Sequence, residues 1–227
     1  MKNIQIIVND TEEIIHMVNS MLEEAVNQSD LDQIESIYQS LVSNYLYLSL
    51  LFWRQGNDPK SYLAKLCETA HNLEAIMDQF SEIENAQKLN QSELVVYAFY
   101  LLGLPHPAIN LDTQDDHTLA SAFFGNVLIG AADIADWPKY DRLPKTKRYQ
   151  LANETDALYA GLLAGHITPK EGVPLAEELW ARREDDDYFQ SGGEGGGDEN
   201  HQIVDYRLGA ILKKIGSTVP TVHAWRW

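Results

Sequence analysis

Hydrophobic residues recur along most of the chain at three- and four-residue steps. The first such group consists of Ile14, Ile15, Val18, Met21, Leu22 and Ala25. This period is that of one face of an α-helix, and the only alternation typical of a strand falls at 3–8. The pattern predicts an all-α protein of about eight helices, arranged as an antiparallel helical bundle or a short solenoid of helix pairs.

Residues that favour helix ends divide this pattern into segments. Polar N-cap residues precede several segments and glycine or proline follows them. The predicted helices begin near Asp10, Ser29, Asp58, Asn90, Thr118, Tyr149, Thr168 and His201. Small residues in the fifth helix, which is predicted to end near Ile134, favour a central position. We expect a single helical domain over 1–227, with a subdivision into 1–103 and 118–227 left open.

The C-terminal part contains an acidic segment without any Lys or Arg. It runs from Glu184 to Asp205, holds eight acids, and contains five glycines within 192–197. We interpret its centre as an acidic, glycine-rich surface loop. Aromatic residues beside exposed acids are typical of a binding interface, although packing of these aromatics against the last helices remains an alternative. The predicted partner-binding residues are Asp185, Asp186, Asp187, Tyr188, Phe189, Glu194, Asp198 and Glu199.

The composition sharpens this interpretation. The 227 residues include 34 acids and 17 bases, which gives a formal net charge of −17. Such a charge disfavours phosphate binding and docking on anionic lipid, so we expect no nucleic-acid partner and no membrane association. It favours a basic protein partner. The bases of Lys139–Arg148 are the exception, and we interpret them as salt-bridge partners of acidic helices.

The N-terminal sequence and the single cysteine indicate the compartment. The apolar stretch after Lys2 is shorter than the roughly 7–15 residues of a secretory signal, and no apolar run reaches the length of a spanning helix. We therefore expect a cytoplasmic protein. Cys67 lies inside a helical pattern, where a lone thiol is usually a small buried hydrophobe.

Catalytic chemistry finds little support in the sequence. The seven histidines show neither H-E-x-x-H nor another paired metal-ligand spacing, and no nucleophile motif is present. A mixed metal site in one loop stays open as an alternative, with the candidate ligands His106, Asp112, Asp115, Asp116 and His117. We expect no catalytic residues, no metal and no cofactor.

Three C-terminal segments resemble a known family. They are Leu162–His166, Leu175–Trp180 and Asp205–Gly216, the last of which predicts a small final helix containing Tyr206 before a short aromatic tail. Together they resemble the C-terminal part of all-helical bacterial immunity proteins that neutralise polymorphic toxins. The resemblance implies a cytosolic protein without catalytic activity that binds one toxin domain tightly. It assigns no functional residue.

These observations lead to one functional hypothesis and two alternatives. The first is an immunity protein that occludes the active site of a basic cognate toxin domain with an acidic surface. The second is a metal-dependent hydrolase on a helical scaffold. The third is a helical adaptor module without catalytic activity.

Overall fold

The structure is a computed structural model that describes residues 4–54, 57–77, 93–182, 206–219 and 221. Within these ranges it contains eight α-helices, three short 3-10 helices and no strand. The predicted all-α class is confirmed. The chain divides into two compact units, Met1–Ala98 (unit 1) and Phe99–Trp227 (unit 2).

Unit 1 contains three long helices in chain order. They are α1 (Ile4–Gln28), α2 (Leu31–Arg54) and α3 (Lys60–Met77), and α2 packs against both neighbours. Asp30 begins α2 by accepting a hydrogen bond from the Gln33 N–H at 3.1 Å, as an N-cap aspartate does. The apolar stripes meet in one core that includes Ile15, Val18, Ile34, Leu41 and Leu48.

The predicted start of the first helix is wrong. Helix α1 begins at Ile4, so residues 4–8 of the strand-like alternation are helical. Val8 is 2% exposed and belongs to the same core as Ile15, one heptad later. The helical period therefore extends further toward the N-terminus than the alternation suggested, because a run of five residues fits both periods.

The remaining helices are shorter. They are α4 (Glu93–Leu102), which crosses the division between the units, α5 (Leu119–Ile129), α6 (Gln150–Leu163), α7 (Pro169–Ala181) and α8 (Tyr206–Lys214). Helix α7 starts after Thr168, as predicted, with a capping box in which Thr168 and Glu171 bond each other's backbone N–H groups.

Helix α5 has the central position that its small residues predict, since ten consecutive positions, 119–128, are buried. It ends at Ile129, earlier than the predicted Ile134. Gly130 adopts a left-handed conformation with φ of 81°, and its N–H bonds the carbonyls of Asn126 and Val127. Such a glycine closes a helix at little steric cost. The chain continues as a 3-10 helix, Ile134–Lys139.

Two buried polar groups fix the positions of elements in unit 2. Asn126 of α5 pairs with both backbone groups of Ile109, accepting its N–H at 2.8 Å and donating to its carbonyl at 2.9 Å. Arg207 of α8 donates to Asp156 of α6 at 3.3 Å, and both side chains are buried. Each contact joins segments that are far apart in sequence.

Two lysines in the last turn of α8 hydrogen-bond the C-terminal ends of two other helices. The Lys213 ammonium group donates to the carbonyls of Tyr100 and Leu101, at the end of α4. The neighbouring Lys214 donates to the Leu128 carbonyl, at the end of α5. Lysine is favourable at these places because helix C-termini carry unpaired carbonyls and a partial negative charge.

No helix in the described ranges combines the length and the apolar character that crossing a membrane requires.

Candidate functional site

The predicted acidic binding residues lie outside the described part of the chain. They are Asp185, Asp186, Asp187, Tyr188, Phe189, Glu194, Asp198 and Glu199. Trp180, the aromatic residue that precedes them, is described and only 6% exposed. It therefore packs in unit 2 rather than lying at the surface.

The Asp/His loop between α4 and α5 serves local structure. Asp115 accepts hydrogen bonds from the N–H groups of His117 at 2.8 Å and Thr118 at 3.0 Å. Partial burial raises the pKa of Asp115, but these bonds and the nearby His117 outweigh it, so the pKa lies below its usual value. Nδ1 of His106 is 2.7 Å from the Pro107 carbonyl oxygen.

These side chains do not assemble into a metal centre. Among the residues that the structure describes, no three His, Cys, Asp or Glu side chains are placed to share a metal ion. The hydrolase alternative therefore gains no ligand cluster from His106, His117 and their acidic neighbours in this region.

The basic segment 139–148 pairs locally. Lys139 donates to Asp136 at 2.6 Å, and Lys145 forms an ion pair with Asp141. These are salt bridges, as predicted, but their acids lie in the connection between α5 and α6 and not in the α-helices. Two other bases do pair with acids of α6: Arg182, just after α7, with Glu154 at the surface, and Arg207 of α8 with the buried Asp156.

An apolar cleft in unit 2 was not predicted from the sequence. Its volume is about 470 Å³. Two neighbouring residues, small side chains of α6 and one imidazole form its walls, and these residues are Trp137, Pro138, Ala157, Ala160, Gly161 and His166. Small residues at 157, 160, 161 and 164 have helical spacing, which is the signal that the sequence offered. The cleft can accept an apolar group, and it lacks a pair of groups suited to acid–base catalysis.

A smaller polar cleft, of about 240 Å³, lies in unit 1 between α1, α2 and α3. The Tyr62 hydroxyl donates to Glu12 at 2.7 Å, and the Lys65 ammonium group lies 5.6 Å from the centre of the Tyr62 ring. Burial, followed by this hydrogen bond and the Glu12 charge, raises the pKa of Tyr62 well above its usual value. Tyr62 therefore stays protonated and holds Glu12.

The single cysteine is not a candidate nucleophile. Cys67 is 2% exposed, and burial raises the pKa of its thiol to about 12. Nucleophilic cysteines need a lowered pKa and access to solvent. The structure confirms the prediction that Cys67 is a small buried hydrophobe.

A surface that the sequence misassigned lies on α1. The sequence predicts Ile14 and Met21 on the same apolar face as Ile15 and Val18, but they are 43% and 41% exposed, and Met17 between them is 57% exposed. The apolar arc of α1 is wider than the surface that its neighbours cover. The exposed part forms a ridge in which successive members are three or four residues apart, with acids at both ends.

The comparisons with known proteins give no match. No family model, no curated protein and no solved structure is significantly similar to this chain.

Proposed function

We propose that this protein is an immunity protein that binds a basic toxin domain and blocks its active site. The observation that carries the proposal is the acidic segment from Glu184 to Asp205, with eight acids and no Lys or Arg. A segment of this charge resembles the phosphate backbone that a nuclease or another nucleic-acid-directed toxin must accept. It would therefore compete for the same basic groups.

The contacts of five bases in unit 2 agree with this proposal. Lys139, Lys145 and Arg182 pair with carboxylates of the described region, and Lys213 and Lys214 bind helix carbonyls. These five bases already have internal partners. They therefore contribute little to a basic surface that could bind nucleic acid. Their positions are compatible with an acidic surface that binds a basic protein.

Net charge also supports fast capture of such a partner. A protein of charge −17 attracts a basic domain over several ångströms and steers its approach. Association rates on the order of 10⁸ M⁻¹s⁻¹ are typical of such pairs at low salt. A fast rate suits immunity because a toxin has to be bound before it acts.

The first experiment tests neutralisation itself. The protein product of the gene adjacent to the one for this chain is expressed in a bacterial host, alone and together with this chain. We expect growth arrest by the adjacent product alone and restored growth on co-expression. Arrest that this chain does not relieve would contradict the immunity function.

The second experiment tests the acidic segment with the purified pair. The triple variant Asp185→Lys, Asp186→Lys, Asp187→Lys should reduce the association rate at low salt by roughly tenfold or more, and the difference should shrink at high salt. The control makes the same charge change at three exposed acids elsewhere, Glu23→Lys, Glu68→Lys and Asp116→Lys. An equal loss in the control would show that only net charge matters.

A further inference from the structure

The exposed apolar side chains of α1 form a regular strip on a helix that is rich in acids. Ile14, Met17 and Met21 occupy successive turns of one face, and all three are more than 40% exposed. Their neighbours on that face are also exposed. Asp10 lies one turn before Ile14, Glu24 lies one turn after Met21, and Glu13 lies four residues before Met17. We call this set the α1 face: Asp10, Glu13, Ile14, Met17, Met21 and Glu24.

The other side of α1 is already occupied. Val8, Ile15, Val18 and Ala25 belong to the core of unit 1, and Glu12 accepts the hydrogen bond from Tyr62 of α3. The α1 face lies on the flank away from Glu12, since helical positions 14, 17 and 21 are rotated by more than a right angle from position 12. Within the described residues, the core of unit 1 does not require these three side chains.

Methionine suits such a surface because its unbranched, polarisable side chain adapts to different apolar partners. Amphipathic helices commonly bind to grooves and faces of this type through anchors spaced by three and four residues. The three exposed side chains have this spacing. They match a partner helix that presents its own apolar stripe.

Charge selects the kind of partner. Helix α1 contains five acids, Asp10, Glu12, Glu13, Glu23 and Glu24, and no Lys or Arg. A second copy of this chain would bring like charges together, and an anionic membrane would repel the face, so both are disfavoured. A helix with Lys or Arg beside its apolar stripe would pair with the acids while its stripe covers Ile14, Met17 and Met21.

We propose that the α1 face is a docking site for a basic amphipathic helix of a partner protein. The apolar contacts give the complex its stability, and the flanking carboxylates set the charge of the partner and speed its approach. The site is separate in sequence from the acidic segment 184–205. This proposal does not depend on the proposed toxin-blocking function.

The test uses the full chain and a synthetic probe. The probe is a fluorescent 18-residue Leu/Lys peptide designed as an amphipathic helix, and the control peptide has Glu in place of Lys. We expect saturable one-to-one binding of the Lys peptide and none of the Glu peptide. Amide hydrogen exchange should show added protection in α1 on binding.

Matched variants then separate docking from general attraction. Ile14→Ser, Met17→Ser and Met21→Ser together should weaken binding at least tenfold, whereas Leu175→Ser, at a residue that is 47% exposed in unit 2, should leave it unchanged. Asp10→Asn, Glu13→Gln and Glu24→Gln together should weaken binding several-fold and lower its salt dependence. Glu23→Gln is the control for those charges. Circular dichroism checks that each variant keeps its helices.

Three results would overturn the proposal. The first is binding that the triple serine variant leaves intact, because attraction to acids elsewhere would then explain it. The second is a native dimer that this variant converts to a monomer, which would make a second copy the occupant. The third is α1-dependent binding to vesicles rich in phosphatidylserine. Charge reversal at 185–187 should leave peptide binding at the α1 face in place, which keeps this test distinct from that of the immunity function.

Discussion

In the described part of the chain, the helices wholly within unit 1 have 18–25 residues, whereas those wholly within unit 2 have 9–14 residues. The buried polar side chains differ in parallel. In the described part of unit 1 they are the hydroxyl residues Thr11, Ser49 and Thr69, but in unit 2 they include Asn126, Asp156 and Arg207. A long helix has a broad apolar stripe that specifies its position. A short helix has less apolar surface, so particular polar contacts fix where it lies.

The largest expected effect tests the buried ion pair of unit 2. Arg207→Ala leaves the Asp156 carboxylate buried without its cation, and breaking such a pair costs roughly 3–5 kcal/mol. Hydrogen exchange of α6 amides in increasing denaturant measures the free energy of opening in unit 2. The exposed Arg182–Glu154 pair is the control, since Arg182→Ala should cost less than about 1 kcal/mol. Equal effects of the two substitutions would contradict a special role for the buried pair.

In unit 1 the comparable effect should come from apolar volume. Leu41 of α2 is 2% exposed, so Leu41→Ala should lower the free energy of unfolding of unit 1 by about 2–5 kcal/mol, through lost burial and the remaining cavity. Leu175→Ala, at an exposed leucine, should change stability by less than about 0.5 kcal/mol. A small effect at Leu41 would show that this core is loosely packed.

Asn126 should show a smaller but more specific dependence on polar contacts. Asn126→Ala leaves the N–H and the carbonyl of Ile109 without this partner, at a total cost of roughly 1–3 kcal/mol because water can enter the polar space left by the amide group. Exchange of the Ile109 amide should accelerate more than that of α6 amides. The control is Asn19→Ala at an exposed position of α1, which removes a hydrogen bond to the Ile15 carbonyl and should have little effect on stability. If Ile109 exchange is unchanged, another group satisfies this backbone.

The smallest effect near neutral pH is that of Cys67 in unit 1, because its contribution to stability changes only above about pH 9. Because the folded pKa of Cys67 is about 12, its thiol stays neutral in the fold while the unfolded thiol ionises above about pH 9. The contribution of Cys67 to the free energy of unfolding is therefore fully present below pH 9. Above pH 9 it falls by up to about 1.4 kcal/mol per pH unit, until about pH 12. Urea denaturation between pH 8 and 10.5 should show a weaker pH dependence of the free energy of unfolding for Cys67→Ala than for the unchanged protein. Tyrosine ionisation affects both proteins, so the difference between them reports on Cys67. Parallel pH profiles would contradict a buried thiol.

The sequence predicted those parts of the fold that depend on neighbouring residues. Asp30 before α2 and the Thr168–Glu171 capping box of α7 are local signals, and both helices begin where these residues indicate. The early end of α5 also had a local signal in Gly130. The contacts of Arg207 with Asp156 and of Asn126 with Ile109 could not be predicted, because they join positions 51 and 17 residues apart.

The candidate surfaces were harder to predict for a related reason. The hydrophobic period identifies which residues of α1 are apolar, but the share that becomes buried depends on how much of the helix its neighbours cover. Ile14 and Met21 were therefore indistinguishable from Ile15 and Val18 in the sequence. The acidic residues 185–199 were singled out by composition alone, and they stay a prediction.

The paired lysines of α8 bear on the order in which the chain can fold during synthesis. Lys213 and Lys214 bind carbonyls that lie 112 and 86 residues earlier. The contacts among α1, α2 and α3 join helices that are consecutive in the chain, so they are available soon after residue 77 leaves the ribosome. The ends of α4 and α5, in contrast, wait for α8. A nascent chain stalled before residue 206 would carry a formed unit 1 and an incomplete unit 2.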